Sequence, residues 1–222
     1  MIPLQLPQTI SHAEALRYLG CLEQPAGEVS ALLERCERKI LQAARPVGWR
    51  IRLPLEQAPE QLRLDSSDIQ RHLKDCGEMV LLAVTLGAGV DTLLRRLSVS
   101  DLAEASVCDA LAGVLADEMA SQLEQRIRQE LLREEKFCTG RFSPGYGDWP
   151  LEVQPMVCRL LDSQRKIGLS CSESCLLIPR KSITAVMGIS ERPVSGQLAG
   201  CGHCALKQTC IYRKRGKTCA DF

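Results

Sequence analysis

Apolar residues recur in unbroken four-residue steps along one part of this chain. Leu111, Leu115, Met119, Leu123, Ile127 and Leu131 form a single stripe, and side chains four apart stack on one face of an α-helix. The pattern predicts a helix from Asp101 to about Glu135, and Asp101 with Glu104 three residues on resembles a capping box at its start. Residues 28–44 place Val29, Leu32, Leu33, Cys36, Ile40 and Leu41 on one face, which predicts an amphipathic helix closed by Pro46. Trp49, Ile51 and Leu53 alternate with arginines, the mark of a half-buried strand. The run EMVLLAVTLG, Glu78 to Gly87, is of strand length, almost wholly apolar and closed by glycine, so it predicts a buried strand. Residues 69–76 and 90–97 predict two short helices. Residues 151–168 predict one helix with Pro155 in its first turns, and 171–190 read as β through their β-branched content. Helices and strands mix without strict alternation, which favours α+β over a doubly wound α/β fold.

The length, 222 residues, suits one large domain or two small ones. A net charge of +1 gives no global field for nucleic acid or a membrane surface. The opening MIPLQLPQTI lacks the basic start and long apolar centre of a signal peptide, and the longest uncharged runs, around Met79–Val90, are too short and glycine-rich to span a bilayer. These features predict a cytoplasmic protein with neither nucleic acid nor membrane as partner. Twelve cysteines then read as reduced thiols or metal ligands rather than a disulfide framework. Cys36, Cys108 and Cys158 lie in helical patterns and read as small buried residues.

The long helix has a second face. Ser106, Ala110, Gly113, Asp117, Ala120 and Ser121 share it by steps of three and four, all small except the carboxylate. Small residues let another body approach closely, and a lone Asp there suits a cationic ligand. The same face also reads as simply solvated, with Glu118 and Glu124 nearby.

RFSPGYGDWP, Arg141 to Pro150, concentrates two glycines, two prolines and three aromatics in a chain that is 4% aromatic. Proline and glycine forbid a helix interior or a regular strand, so the stretch is a shaped loop. Its Arg-x-x-x-Gly-Tyr core, with Pro150 four residues on, resembles the loop of the activation domain of cobalamin-dependent methionine synthase. The stretch ALAGVLADEMASQLEQRIRQE resembles the family's long carboxylate-bearing helix, with that carboxylate at Asp117 and Glu118 beside it. Glu135 matches a second family carboxylate six residues before the Arg. LDSQRKIGLSCSESCLLIPRKSITAVMGIS resembles the family's helix, its Ser-Glu-Ser strand, proline and Ser-rich strand. The likeness covers roughly residues 100–190, and the first hundred residues resemble only the free-standing members. The Asp-Trp stretch near the start of full-length members, and their late aromatic, have no clear counterpart here.

This resemblance implies a curved, mainly antiparallel sheet flanked by helices, with the 101–135 helix across it. It also implies reductive reactivation of a corrinoid (cobalamin) methyltransferase, with S-adenosylmethionine as methyl donor. In this reading Arg141 pairs with the carboxylate of S-adenosylmethionine, Asp117 and Glu135 hold its cationic or hydroxyl parts, Gly145 admits close approach, and Tyr146 lies over the corrin of the partner as the catalytic residue. The chain is too short to hold a corrin-binding module as well and shows no Asp-x-His-x-x-Gly motif, so the expected partner is a separate corrinoid protein, a methionine synthase lacking its own activation domain.

The tail differs. Cys201, Cys204, Cys210 and Cys219 form Cys-x2-Cys-x5-Cys-x8-Cys in a glycine-rich segment with little apolar material. Such a segment orders itself around a metal, either zinc or an iron–sulfur cluster. The basic run RKRGK between the last two suits docking of an acidic electron donor such as flavodoxin or ferredoxin. The expected division is therefore residues 1–192 as the activation-domain-like part and 193–222 as a metal-binding tail. Two other functions fit the same features: a non-catalytic module that caps a corrinoid protein, and an iron–sulfur electron carrier that uses no S-adenosylmethionine.

Overall fold

A computed structural model describes residues 1–21, 27–194 and 208. Seven strands and seven α-helices are present among these residues. The strands are β1 (Ile2–Pro3), β2 (Val47–Pro54), β3 (Glu78–Thr85), β4 (Phe137–Cys138), β5 (Ser170–Cys171), β6 (Leu177–Ile178) and β7 (Ser182–Ser190). The helices are α1 (His12–Tyr18), α2 (Glu28–Ala43), α3 (Ser67–His72), α4 (Ala88–Ser100), α5 (Leu102–Arg133), α6 (Gln154–Leu161) and α7 (Ser163–Ile167). One sheet has the order β1-β2-β3-β7-β4, and β5 pairs with β6 in a separate hairpin. Its directions follow from the end bonds. Leu55 N–H donates to Gly77 O at 3.0 Å and Arg45 N–H to Leu86 O at 2.8 Å, so β2 and β3 run antiparallel. Gly77 N–H donates to Ile189 O at 3.1 Å and Leu86 N–H to Lys181 O at 2.9 Å, so β3 and β7 do as well. Outer strands β1 and β4 are also antiparallel to their neighbours, with Ile2 opposite Gly48 and Phe137 opposite Ser190. The α+β class and the antiparallel sheet thus agree with the sequence. No helix among the described residues is long and apolar enough to cross a membrane.

The chain divides into two compact units, one made of Met1–Trp49, Ala83–Leu123 and Asp162–Ile183, the other of Arg50–Leu82, Glu124–Leu161 and the described residues from Thr184. In the first unit α5 begins at Asp101, whose carboxylate accepts the Glu104 N–H at 2.9 Å. Only half of the expected capping box forms. The Asp101 N–H closes α4 by donating to Leu97 O at 2.8 Å, and the Glu104 carboxylate turns instead to Lys39 Nζ at 2.5 Å. Leu111, Leu115, Met119 and Leu123 are fully buried. Leu123 lies against Gly48 of β2, where even a Cβ would sit 3.0 Å from its methyl. In the second unit the stripe continues with Ile127 and Leu131, both buried.

Two readings change. The helix expected over 151–168 is three pieces: a 3₁₀ turn at Leu151–Val153, then α6, then α7. Asp162 takes a left-handed conformation, φ 48°, that ends α6 and restarts the chain. The β region expected from 171 holds a turn, with Cys175 at φ 63° between β5 and β6.

The start of β3 carries the main ionic network of the second unit. Glu78 accepts from Arg52 Nε at 2.6 Å and Nη2 at 2.8 Å, and from Lys136 Nζ at 2.6 Å. The hydrogen bonds from Arg52 and then Lys136 hold its carboxyl down at about 2. A depressed acid stabilises the fold above its unfolded pKa and ceases to as pH falls through its folded one. The stability difference between wild type and Glu78→Gln should therefore be full above about pH 4.5 and shrink toward pH 2. Denaturant unfolding measured against pH checks this, and a pH-independent difference would contradict it.

Candidate functional site

Asp117 stands on α5 in the first unit, exposed to solvent. Its Oδ2 accepts the Tyr18 hydroxyl at 2.9 Å. Burial, and then the neighbouring Asp117 carboxylate, push the Tyr18 phenol up to about 12, so the phenol stays a neutral donor at physiological pH. The small face seen in the sequence is divided. Ala120 is fully buried, whereas Ser106, Ala110 and Gly113 line a cleft of about 850 Å³ shared with Tyr18, Asp91 and Lys181. Lys181 spans to Asp109 Oδ1 at 3.0 Å.

Glu135, Arg141, Gly145 and Tyr146 belong to the second unit. Arg141 is held by α5: its Nε donates to Glu124 Oε2 at 2.8 Å, and Glu124 Oε1 takes Arg128 Nη2 at 2.8 Å. Arg128 also donates to the carbonyls of Cys138 and Thr139, both at 3.0 Å. One carboxylate and one arginine a helical turn apart thus fix the chain just before the loop and its first side chain together. Nearby, Glu134 pairs with Arg52 at 2.6 Å, and Asp148 caps another helix.

The rest of RFSPGYGDWP is stapled down. Phe142 exchanges backbone bonds with Val186, its N–H donating at 2.9 Å and its carbonyl accepting at 2.8 Å. Trp149, 1% exposed, donates its indole N–H to Leu62 O at 2.8 Å and lies 6.1 Å from the Phe142 ring. Phe142 in turn lies 5.0 Å from His72, whose Nε2 meets Thr139 Oγ1 at 2.9 Å; burial lowers the His72 pKa and keeps the ring neutral. The Asp148 carboxylate accepts the Ser67 and Asp68 N–H groups at 2.8 and 2.9 Å, capping α3, whose own Ser66 makes no side-chain cap. Although desolvation acts the other way, these N–H donors hold the Asp148 carboxyl below its ordinary range.

Gly145 has φ 86° and Gly147 φ 53°, both left-handed, and a Cβ on Gly147 would collide with the Asp68 carboxylate. The tight turn they permit leaves Tyr146 at its tip, 68% exposed. Glu135 closes α5 in a left-handed conformation, φ 57°, exposed to solvent. The arrangement is a rigid loop presenting a flat phenol ring, beside an arginine oriented by a carboxylate. In the second unit an oriented guanidinium suits a ligand carboxylate, and in the first an exposed Asp suits a cationic group.

Sequence reading missed Glu124 and Tyr18 as partners. Glu124 had a signal, since it lies two turns after Asp117 on the same helix; Tyr18 had none at a separation of 99 residues. The tail cysteines Cys201, Cys204, Cys210 and Cys219 lie outside the described residues.

Residues 67–217 match the family described as vitamin B12 dependent methionine synthase, activation domain. The chain belongs to that family. The match is wider than the region 100–190 whose motifs carried the resemblance. A crystal structure of the MetH reactivation domain bound to AdoHcy is similar in fold, with 17% identity and a TM-score of 0.57, over 92% of this chain and 78% of that one. No curated protein matches the chain. The curled antiparallel sheet and the loop therefore sit in an activation-domain fold.

The anchoring of this activation-domain loop has a measurable consequence. Trp149→Phe leaves the buried Leu62 carbonyl unpaired and should cost about 1–3 kcal/mol. Trp149→Ala adds a cavity and should cost about 3–5 kcal/mol. Denaturant unfolding checks both, and an unchanged Trp149→Ala would remove the staple from the description.

Proposed function

We propose that this chain reductively reactivates a corrinoid methyltransferase in trans, with S-adenosylmethionine as methyl donor. The partner to test first is a methionine synthase lacking its own activation domain. Membership of the activation-domain family supports the reading, as does the AdoHcy bound to the similar MetH domain. The observation that carries it is the coupling of Arg141 to Glu124 beside a loop that displays Tyr146. When bound, S-adenosylmethionine supplies the methyl group that traps the partner's cobalt after its one-electron reduction.

This chain's own residues bind and orient. Arg141 pairs with the ligand carboxylate. Asp117, aimed by the Tyr18 hydroxyl, faces the cationic or hydroxyl part, and Glu135 adds a second carboxylate. Gly145 sets the turn, and Tyr146 lies over the partner's corrin. Cytoplasmic location belongs to the same proposal. So does the division into an activation-domain part, 1–192, and a tail, 193–222, whose four cysteines bind an iron–sulfur cluster or zinc. A cluster held there would supply one-electron chemistry, and the basic run RKRGK would suit docking of a flavodoxin or ferredoxin.

Calorimetry with S-adenosylmethionine tests the reading. Arg141→Ala removes a charge-assisted pair worth about 1.5–3 kcal/mol, so affinity should fall at least about tenfold. Glu124→Gln, which leaves Arg141 in place but unaimed, should weaken binding in the same direction. No binding by the wild type would leave the non-catalytic capping module, and an unchanged affinity in Arg141→Ala would reject the residue assignment.

A further inference from the structure

Three buried ligand groups converge in the first unit, apart from the loop and the tail. Cys36 projects from α2, and Glu104 and Cys108 stand four residues apart on α5, on one face. Both cysteines are fully buried and Glu104 is 7% exposed. One ligand atom from each, the two Sγ and a carboxylate oxygen, all lie within 4.8 Å of one another. Cys36 Sγ is 4.0 Å from Glu104 Oε1. The same Oε1 receives Lys39 Nζ at 2.5 Å, with Arg35 Nε at 3.6 Å. Lys39 and Arg35 flank Cys36 on α2, and their side chains are 35% and 50% exposed, so the cluster lies one side chain below the surface.

We propose that Cys36, Cys108 and Glu104 form a binding site for a thiophilic divalent cation of the zinc class. Two thiolates and a carboxylate are a borderline-soft donor set, and three protein ligands leave a fourth tetrahedral position for solvent. The charge balance favours it. With both thiols protonated, Glu104, Lys39 and Arg35 sum to +1. With both thiolates and a divalent ion, three negative and four positive charges again sum to +1. Binding therefore exchanges two thiol protons, released to solvent, for one cation without adding net charge to a buried place. The entry path lies past Lys39 and Arg35, which line the solvent side.

Cobalt(II) is the probe, because its thiolate complexes absorb by ligand-to-metal charge transfer. The full chain carrying Cys201→Ser, Cys204→Ser, Cys210→Ser and Cys219→Ser should still take up one cobalt(II) per chain anaerobically, with a thiolate charge-transfer band. Adding Cys36→Ser and Cys108→Ser together should abolish the band, while Glu104→Gln should keep it and lower affinity at least about tenfold. Absence of the band in the tail variant, or its persistence without Cys36 and Cys108, overturns the site. Should the tail variant fail to fold, the unaltered chain and its Cys36→Ser, Cys108→Ser form are compared by metal stoichiometry. A drop of one ion per chain supports the site, and equal stoichiometry overturns it.

Discussion

Burial of one apolar stripe along α5 constrains nearly everything else. Each large side chain taken out of water contributes about 1.5–3 kcal/mol, and Leu111, Leu115, Met119, Leu123, Ile127 and Leu131 are all buried. A helix held by that many contacts cannot rotate about its axis. Its rotation then decides where the polar positions fall. Asp117 and Glu124, seven residues apart, come round together, and Arg128 follows one turn after Glu124 to reach the carbonyls of Cys138 and Thr139. At the other end the same constraint turns Glu104 and Cys108 inward toward Cys36. The middle of the helix is buried on several sides, as expected where apolar and small residues surround a helix.

The second requirement is a loop stiff enough to present a ring without closing over it. RFSPGYGDWP meets it by dividing labour among its residues. Phe142 joins the edge of β7, Trp149 fills the space under Leu62, and Asp148 lends its carboxylate to the first turn of α3. Gly145 and Gly147 supply the left-handed turns that L side chains resist. Tyr146 alone among the three aromatics of the stretch is exposed. An exposed aromatic on a tethered tip loses little conformational entropy when a flat partner arrives.

Local periodicity made α2, α4, α5 and β2 legible, and an unbroken apolar run closed by glycine did the same for β3. The nature of 141–150 was legible from composition alone, and its role from the likeness of Arg141, Gly145 and Tyr146 to a known motif. Helix α1 and the two-residue strands β1 and β4 are too short to leave a periodic trace. The break at Asp162 depends on a left-handed residue that no neighbouring glycine announces. Pairings such as Tyr18 with Asp117 and Asp148 with α3 join residues 99 and 80 apart, and only the folded chain brings them together. Cys36 and Cys108 read correctly as buried, yet nothing in either helical pattern pointed to their convergence with Glu104.

Methyl transfer to a partner's cobalt is the most direct test of the central claim. A corrinoid methyltransferase lacking an activation domain, held in its cob(II)alamin state, is mixed anaerobically with this chain, a low-potential reductant and S-adenosylmethionine, and its visible spectrum is followed. The expected result is conversion to methylated cobalt that requires both the chain and S-adenosylmethionine. Conversion at the same rate without the chain, or none with every component present, would contradict it.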